Sequence, residues 1–365
     1  MTVFDRAAAH IRSISPYQPG KPISELAREM GLQESSIVKL ASNENPLGMS
    51  PHARAAALAA IDEVPRYPDG NGFELKQAVM RHHDINIDQI VLGNGSNDVL
   101  EMVARALLGP GTSAVYSKHA FAVYPLATLA AGACGIEVRA RDFGCDLDAM
   151  RAAVRDDTRV VFIANPNNPT GTFVDAAALE HFVASVPADV LVVLDEAYSE
   201  YLPEHLAYDS ARWLARYPNL LVSRTFSKAY GLGGLRVGYG IGQPPVIDLL
   251  NRVRQPFNVS NVGLAAAAAA LADQDFVRAS AAANAAGLRQ MEAFFDAQGI
   301  EYIRSYANFI AFRAGDAATV NRRLLEQGII VRPIAGYAMP EWLRVSIGLE
   351  SENARFIDAL TRART

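Results

Sequence analysis

The chain has 365 residues, of which half are hydrophobic and a fifth are charged. Because this length exceeds what one hydrophobic core usually serves, we expect two domains. The formal net charge is −5, from 34 basic and 39 acidic side chains, which gives no electrostatic basis for binding nucleic acid or an anionic membrane. A small anionic ligand is not excluded, because a pocket for it needs only a few arginines.

The first fifteen residues, MTVFDRAAAHIRSIS, carry scattered charges without the apolar centre of a signal peptide, so we expect a cytoplasmic protein. The most apolar stretch, residues 263–272, is too short to cross a bilayer and predicts a buried or half-buried helix. Cys134 and Cys145 fit no metal-ligand spacing and the histidines form no metal-binding motif, so no metal is expected. His82 and His83 are interpreted as surface residues of a helix.

Short apolar runs, each followed by a turn, recur through the first two thirds of the chain. The predicted strands are residues 89–92, 159–164, 190–194, 220–223 and 236–241. Periodic segments at 98–108 and 175–186 predict helices between them. Strands that alternate with helices predict an α/β fold, a three-layer α/β/α large domain with a mainly parallel sheet. Ligands of such sheets bind beyond the carboxyl ends of the strands.

The pattern changes after residue 272. A long helical segment at 275–298 precedes short strand-like runs at 300–303, 308–312, 329–332 and 343–347. These runs predict a smaller α+β domain. We expect residues 1–35 to form an N-terminal arm and part of the small domain, residues 36–265 the large domain, and residues 266–365 the small C-terminal domain.

Two polar segments follow predicted strands of the large domain. In LDEAYSEY (194–201), Asp195 ends the most apolar strand, where a carboxylate is costly unless it is paired with a cation. For an isolated Asp, a helix N-cap or a buried ion pair is the favoured explanation. In SRTFSKAYGLGGLRVGY (223–239), Lys228 lies on a turn, with Thr225 and Ser227 before it and Arg236 after it. Two hydroxyls and an arginine suit an anion held beside the amine. A lysine that reacts near neutral pH needs its pKa lowered from about 10.4 to about 7, which costs about 4–5 kcal/mol and requires a desolvated site.

Two further turns fall at predicted strand ends. NPNNPTG (165–171) is a proline- and glycine-rich turn that brings Asn168 to the edge that carries Asp195. GNGSND (93–98) begins a helix, and its small residues allow backbone N–H groups to approach a phosphate. Taken alone, each of these turns is only a weak indication of a binding site.

Together these segments resemble the fold-type I, pyridoxal-phosphate-dependent aminotransferases of classes I and II. Their order and spacing match that family, and matching extends over essentially the whole chain through SNENPLG (42–48), RYPDGNG (66–72), VRPIAGY (331–337) and WLRVSIG (342–348). These outer motifs resemble the histidinol-phosphate aminotransferase branch.

The resemblance implies that Lys228 binds pyridoxal 5′-phosphate as a Schiff base and carries protons during catalysis. It implies that Asp195 keeps the pyridinium nitrogen protonated, and that Tyr198 and Asn168 hydrogen-bond the phenolic oxygen of the cofactor. The cofactor phosphate is expected among Ser96, Asn97, Thr225, Ser227 and Arg236.

The resemblance also assigns residues to the cofactor ring and the substrate. Phe121 is expected to stack on the cofactor ring, where many family members carry Tyr, and it cannot donate a hydrogen bond. Arg344 is the expected anion-binding residue, and Arg332 and Tyr17 are expected to help hold a substrate phosphate. Tyr67 is expected to reach the cofactor phosphate from the partner subunit, which implies a homodimer.

The implied reaction is a two-stage transfer that converts L-histidinol phosphate and 2-oxoglutarate into imidazole-acetol phosphate and L-glutamate, in histidine biosynthesis. An aromatic amino acid aminotransferase shares nearly all of these motifs, and its substrates are similar in size. A pyridoxal-phosphate-dependent decarboxylase on the same fold is a further alternative. A non-catalytic regulator needs a DNA-binding module that no basic segment predicts, and a nicotinamide dehydrogenase needs a GxGxxG turn that GLGG at 231–234 does not provide.

Overall fold

The structure is a computed structural model that describes residues 1–16 and 19–364. Its helices are α1 Val3–Arg6, α2 Ala9–Arg12, α3 Ile23–Met30, α4 Pro51–Ala59, α5 Phe73–His83, α6 Ser96–Leu107, α7 Val123–Ala130, α8 Leu147–Ala152, α9 Ala176–Ser185, α10 Pro244–Val253, α11 Asn261–Ala272, α12 Gln274–Ala297, α13 Ala317–Glu326 and α14 Glu350–Arg364. Its strands are β1 Val38–Lys39, β2 Ile90–Gly93, β3 Ser113–Ser117, β4 Cys134–Val138, β5 Thr158–Ala164, β6 Leu191–Asp195, β7 Leu220–Thr225, β8 Gly238–Gly242, β9 Tyr302–Ile303, β10 Phe309–Arg313, β11 Ile329–Ile330, β12 Arg332–Pro333 and β13 Trp342–Ser346.

The largest sheet has seven strands in the order β2-β8-β7-β6-β5-β3-β4. Neighbouring strands are parallel, except that β8 is antiparallel to both β2 and β7. Ala164 pairs with Asp195, and Asp195 pairs with Ser223, so the carboxyl ends of β5, β6 and β7 meet at one edge. The predicted α/β fold with a mainly parallel sheet is confirmed.

The central strand β6 is buried on both faces. Because successive side chains of a strand point to opposite faces, Val192 and Leu194 join one hydrophobic cluster, and Leu191 and Val193 join another. Helices α4, α5, α9 and α11 contribute to the first cluster, whereas α6, α7 and α10 contribute to the second. The sheet is therefore the middle of three layers.

A second, antiparallel sheet has the order β12-β13-β10-β9, and β1 pairs with β11 beside it. Its core contains Phe295 and Phe312, whose rings stack at 5.2 Å. The strands after residue 272 and helices α12, α13 and α14 form the predicted small α+β unit, and β1, which lies in the range predicted for the large domain, pairs with β11 of this unit. The domain boundary at 265/266 stays a prediction, and α11, which crosses it, contributes Ala266 and Leu271 to the large-sheet cluster.

Three strands and one histidine differ from the sequence analysis. Strands β1, β3 and β4 were not predicted. β4 is the edge strand and mostly exposed, so no apolar run marks it. The surface interpretation of His83 is wrong, because its side chain is buried and its Nε2 lies 2.9 Å from Tyr239 Oη. Burial lowers the pKa of His83 to about 2. His82 is exposed, since adjacent residues of a helix point in different directions.

Within the described ranges, none of the helices combines the length and apolar character needed to cross a membrane.

Candidate active site

A cavity lies at the carboxyl ends of β5, β6 and β7 and extends to β12 and β13. The predicted site residues that line it are Ser96, Asn97, Phe121, Asn168, Asp195, Tyr198, Thr225, Ser227, Lys228, Arg236, Arg332 and Arg344. Tyr67 does not line the cavity of its own chain, and Tyr17 lies outside the described residues. The structure therefore brings together twelve of the fourteen predicted residues, whose roles stay predictions.

Asp195 has one satisfied and one unsatisfied carboxylate oxygen. Its Oδ2 accepts a hydrogen bond from Tyr124 Oη at 2.8 Å. Its Oδ1 is buried and has no hydrogen-bond partner among the described residues. Burial raises the pKa of Asp195 to about 6, although the Tyr124 hydrogen bond acts in the opposite direction. An orphaned buried oxygen is costly, so Oδ1 is a suitable acceptor for the N–H of a cationic ring.

Lys228 lies on the turn between β7 and β8, and its Nζ donates to the carbonyl oxygen of Ser42 at 3.3 Å. Desolvation, together with the positive charge of Arg344, lowers the pKa of Lys228 to about 8. The turn packs tightly against the segment 42–48. Gly231 has φ +71°, and a side chain there would overlap the carbonyl oxygen of Gly48. The turn therefore holds a partly neutral amine in a fixed place.

Donors suited to a phosphate surround one end of the cavity. Helix α6 begins at Ser96, directly after Gly95 with φ +76°, so its free N–H groups and positive dipole end lie there. Arg236 lies beside this helix start, since a Cβ on Gly95 would overlap its Nη2, and its Nη1 donates to Ser227 Oγ at 3.2 Å. Gly238 lets β8 approach this helix start, because a Cβ there would overlap the backbone nitrogen of Ser96. The arrangement fits a phosphate group.

Two arginines lie at the other end of the cavity. Arg344 on β13 pairs in register with Arg332 on β12. Arg344 is buried; its Nη1 donates to Asn168 Oδ1 at 2.5 Å and its Nη2 to Ala41 O at 2.9 Å. Its guanidinium also lies 5.0 Å from the ring centroid of Phe309. Adjacent cations in a partly buried cavity favour an anionic ligand between them.

Sequence reasoning missed two residues of the site. Tyr124 is fully buried, stacks on Phe162 at 4.9 Å and donates to Asp195. Its signal was its spacing three residues after Phe121, which places both on one side of a helical turn. Asn43 lines the cavity and donates to Tyr198 Oη at 3.0 Å; its motif was recognised but was given no role.

Tyr67 belongs to an exposed apolar surface. It is 82% exposed, and its ring stacks on Phe257 with a centroid distance of 4.8 Å. Other exposed apolar side chains near it in sequence are Leu58, Ile61, Val64 and Phe73. Val64, Tyr67 and Phe257 line one surface cleft, and clustered exposed apolar side chains are typical of a protein interface.

A family model described as aminotransferase class I and II matches residues 35–360. The fold and the cavity are consistent with this match, and the chain belongs to the family of class I and II aminotransferases.

Relatives with known names refine this assignment. The chain is 62% identical to histidinol-phosphate aminotransferase 2 of Nitrosospira multiformis, over 100% of this chain and 93% of the relative. It is also 62% identical to histidinol-phosphate aminotransferase 1 of Thiobacillus denitrificans, over 97% of this chain and 92% of the relative. The structure superimposes with a TM-score of 0.91 on that of histidinol-phosphate aminotransferase from Sinorhizobium meliloti in complex with pyridoxal-5′-phosphate. The two sequences are 29% identical, and the match covers 100% of this chain and 98% of the other. The predicted resemblance to this branch is confirmed.

Proposed function

We propose that this protein is an aminotransferase of histidine biosynthesis that converts L-histidinol phosphate and 2-oxoglutarate into imidazole-acetol phosphate and L-glutamate. The observation that carries the proposal is one cavity in which Lys228, the buried Asp195 and the two arginines Arg332 and Arg344 meet. The substrate class rests on the relatives named above. As an enzyme of amino-acid biosynthesis, it is expected in the cytoplasm.

Pyridoxal 5′-phosphate fits this cavity. When bound, it supplies an aldehyde that takes up an amino group and a ring that stores the electron pair released at the substrate α carbon. The free Oδ1 of Asp195 would accept the N–H of the ring nitrogen, and a negative charge there keeps that nitrogen protonated. The start of α6, with Arg236 beside it, would hold the phosphate, and Phe121 would cover the ring.

Lys228 would attach the cofactor and move protons. Because its pKa is lowered to about 8, a fraction of the amine is neutral near pH 7, which is the form that bonds to a carbonyl carbon and accepts a proton. Nζ would take the proton from the substrate α carbon and deliver it to C4′ of the cofactor, the carbon that gains the amino group. Tyr198 and Asn168 would hydrogen-bond the phenolic oxygen of the cofactor.

The two arginines would hold the anionic group of either substrate. The planar fork of a guanidinium fits a carboxylate and a phosphate equally well. Arg344 would therefore bind the α-carboxylate of glutamate in one half-reaction and the phosphate of histidinol phosphate in the other. Arg332, paired with it across β12 and β13, would share the phosphate, and Tyr17 stays a predicted contributor.

The substrate proposal is tested by half-reactions of the purified holoenzyme. Histidinol phosphate, glutamate, phenylalanine and tyrosine are added separately, and loss of the visible absorbance of the bound cofactor is followed by stopped flow. We expect fast loss with histidinol phosphate and glutamate, and loss at least about tenfold slower with the aromatic amino acids. Faster reaction with phenylalanine or tyrosine would favour an aromatic aminotransferase, and release of carbon dioxide a decarboxylase.

The homodimer is a separate proposal, supported by the exposed apolar surface around Tyr67. It is tested with subunits that carry different defects, Lys228→Ala in one and Tyr67→Ala in the other. If Tyr67 reaches the partner's cavity, a mixed dimer contains one intact site, and mixing restores activity that neither variant has. If Tyr67 acts within its own chain, no intact site forms and mixing restores nothing. Sedimentation of the wild-type chain checks that dimers exist.

A further inference from the structure

Asn43 makes four hydrogen bonds that connect the small sheet with the cavity. Its N–H donates to Ser346 Oγ at 2.8 Å, and its carbonyl accepts from Asn308 Nδ2 at 3.0 Å. Its side-chain Oδ1 accepts from Ser346 Oγ at 2.9 Å, and its Nδ2 donates to Tyr198 Oη at 3.0 Å. The residue is 1% exposed and has φ +54°, a left-handed conformation that Asn adopts more readily than most residues.

The directions of the hydrogen bonds around Asn43 follow from its backbone N–H, which can only donate. Ser346 Oγ accepts from Asn43 N and donates its own proton to Asn43 Oδ1, whereas a flipped amide would make Oγ accept twice and leave that proton without an acceptor among these groups. The amide oxygen therefore faces Ser346, and the amide nitrogen faces Tyr198. Because an amide nitrogen only donates, Tyr198 Oη accepts this bond. Its own proton then points away from Asn43, and Tyr198 lines the cavity.

We infer that Asn43, oriented by Ser346, is a positioning residue that fixes Tyr198 as a hydrogen-bond donor toward the cofactor. The inference deepens the proposed function and rests on it, since Tyr198 is there expected to hydrogen-bond the phenolic oxygen of the cofactor. Ser346 lies two residues after Arg344 on β13, and alternate residues share one face of a strand. The strand that carries the anion-binding arginine thus also sets the direction of the tyrosine's proton.

A change in this direction has a measurable consequence. A hydrogen bond donated to the phenolic oxygen stabilises its deprotonated form. Without that donor the oxygen is more basic, and the pH midpoint at which the visible absorbance of the Lys228-bound cofactor changes moves upward. The midpoint is measured on the holoenzyme without substrate, so it does not depend on which substrate the enzyme uses.

The central variant is Asn43→Asp, which has nearly the same shape and tolerates the same φ. The carboxylate that it introduces accepts from both neighbours, so the proton of Tyr198 turns away from the cavity. We expect the absorbance midpoint to rise by about one pH unit, corresponding to one hydrogen bond. Ser346→Ala allows the side-chain amide of Asn43 to rotate by half a turn, and we expect the absorbance midpoint to rise by a few tenths of a pH unit. Circular dichroism checks that both variants fold.

A second background separates hydrogen-bond direction from the added charge. In Tyr198→Phe there is no proton to redirect, so adding Asn43→Asp should then move the midpoint by less than a third as much as it does in the wild type. A shift of the same size in both backgrounds would mean that the charge alone acts, and the inference would be wrong. A wild-type midpoint in Ser346→Ala would also contradict it. Failure of the half-reactions with histidinol phosphate would instead contradict the proposed function, and leave these titrations valid.

Discussion

Asp195 and Glu196 are consecutive buried acids at the end of β6, but their surroundings differ. Glu196 is fully buried against Arg224, whose Nη2 lies 2.7 Å from its Oε2, and Glu200 approaches the same guanidinium at 3.5 Å. Asp195 faces the cavity, with Tyr124 on one oxygen and no partner on the other among the described residues. Glu196 has a salt-bridge partner within the chain, whereas no salt bridge to Asp195 is found among the described residues. Both acids are buried, so the difference between them is the salt bridge.

The contrast implies two classes of variant. Substitutions on the cavity side should reduce catalysis without lowering the stability of the cofactor-free chain, because the proposed partner of Asp195 is a ligand. Substitutions in the Arg224 cluster should reduce stability and leave the turnover of folded molecules nearly unchanged, because all of its charges belong to the chain.

Lys228→Ala should have the largest effect, a loss of at least about 10³-fold in turnover, because no other group can bond the cofactor at this place. Borohydride reduction of the wild-type holoenzyme, followed by peptide mass spectrometry, should find the cofactor on the peptide that contains Lys228. Lys21→Ala is the matched control, since Lys21 pairs with Glu25 and Glu29 outside the cavity. A cofactor adduct on another lysine would contradict the assignment.

Arg224→Met should lower the free energy of unfolding by about 3–5 kcal/mol, because it leaves Glu196 and Glu200 buried without their cation. Urea unfolding measures the loss. Turnover per folded molecule, measured at a temperature where the variant is still folded, should stay within about threefold of the wild type. The double variant Arg224→Met with Glu196→Gln should recover part of the stability. A large loss of turnover in the folded variant would show that the two sides are not separable.

Asp195→Asn should reduce turnover by at least about 100-fold, or about 2.7 kcal/mol, because an amide cannot hold a ring nitrogen in its protonated form. The free energy of unfolding of the cofactor-free variant should instead rise. Since burial raises the pKa of Asp195 from 3.8 to about 6, ionising it in the folded, cofactor-free chain is unfavourable. That cost is absent below about pH 4 and complete above about pH 6.

The cofactor-free Asp195→Asn variant should therefore be as stable as the wild type at pH 4 and more stable by up to about 3 kcal/mol at pH 7. Thermal unfolding at a series of pH values measures this difference. A gain that is the same at pH 4 and pH 7 would show that ionisation of Asp195 is not its cause.

Tyr124→Phe should have the smallest effect, about two- to tenfold in turnover, because it removes one hydrogen bond without changing charge. The bond from Tyr124 lowers the pKa of Asp195, so its loss should raise that pKa further. The pH below which cofactor affinity falls, the acid limb of its pH profile, should then rise by up to about one unit. Phe162→Leu removes the stacking partner of Tyr124 but keeps the hydroxyl, and should leave the acid limb unchanged.

Most of the fold and much of the cavity could be predicted from contiguous segments. An apolar run such as residues 190–194 must be a buried strand, and a polar residue that follows it, such as Asp195, must lie at the carboxyl edge of the sheet. Lys228 and Asn168 were found in the same way, because each lies in a turn directly after a strand, and Ser96 was found because it begins the helix that follows β2. The edge strand β4 could not be found, since its exposed residues carry no apolar pattern.

By itself, the sequence determined which segments are strands, which turns carry reactive groups and which family those turns resemble. Only the tertiary structure decided the partners of those groups, because the partners are far away in the chain. Tyr124 is 71 residues from Asp195, and Asn43 is 155 residues from Tyr198. Local periodicity records which side of an element is apolar, but it does not record which distant side chain meets it. Those contacts depend on how helices and sheets pack, and this packing left one oxygen of Asp195 without a hydrogen-bond partner among the described residues.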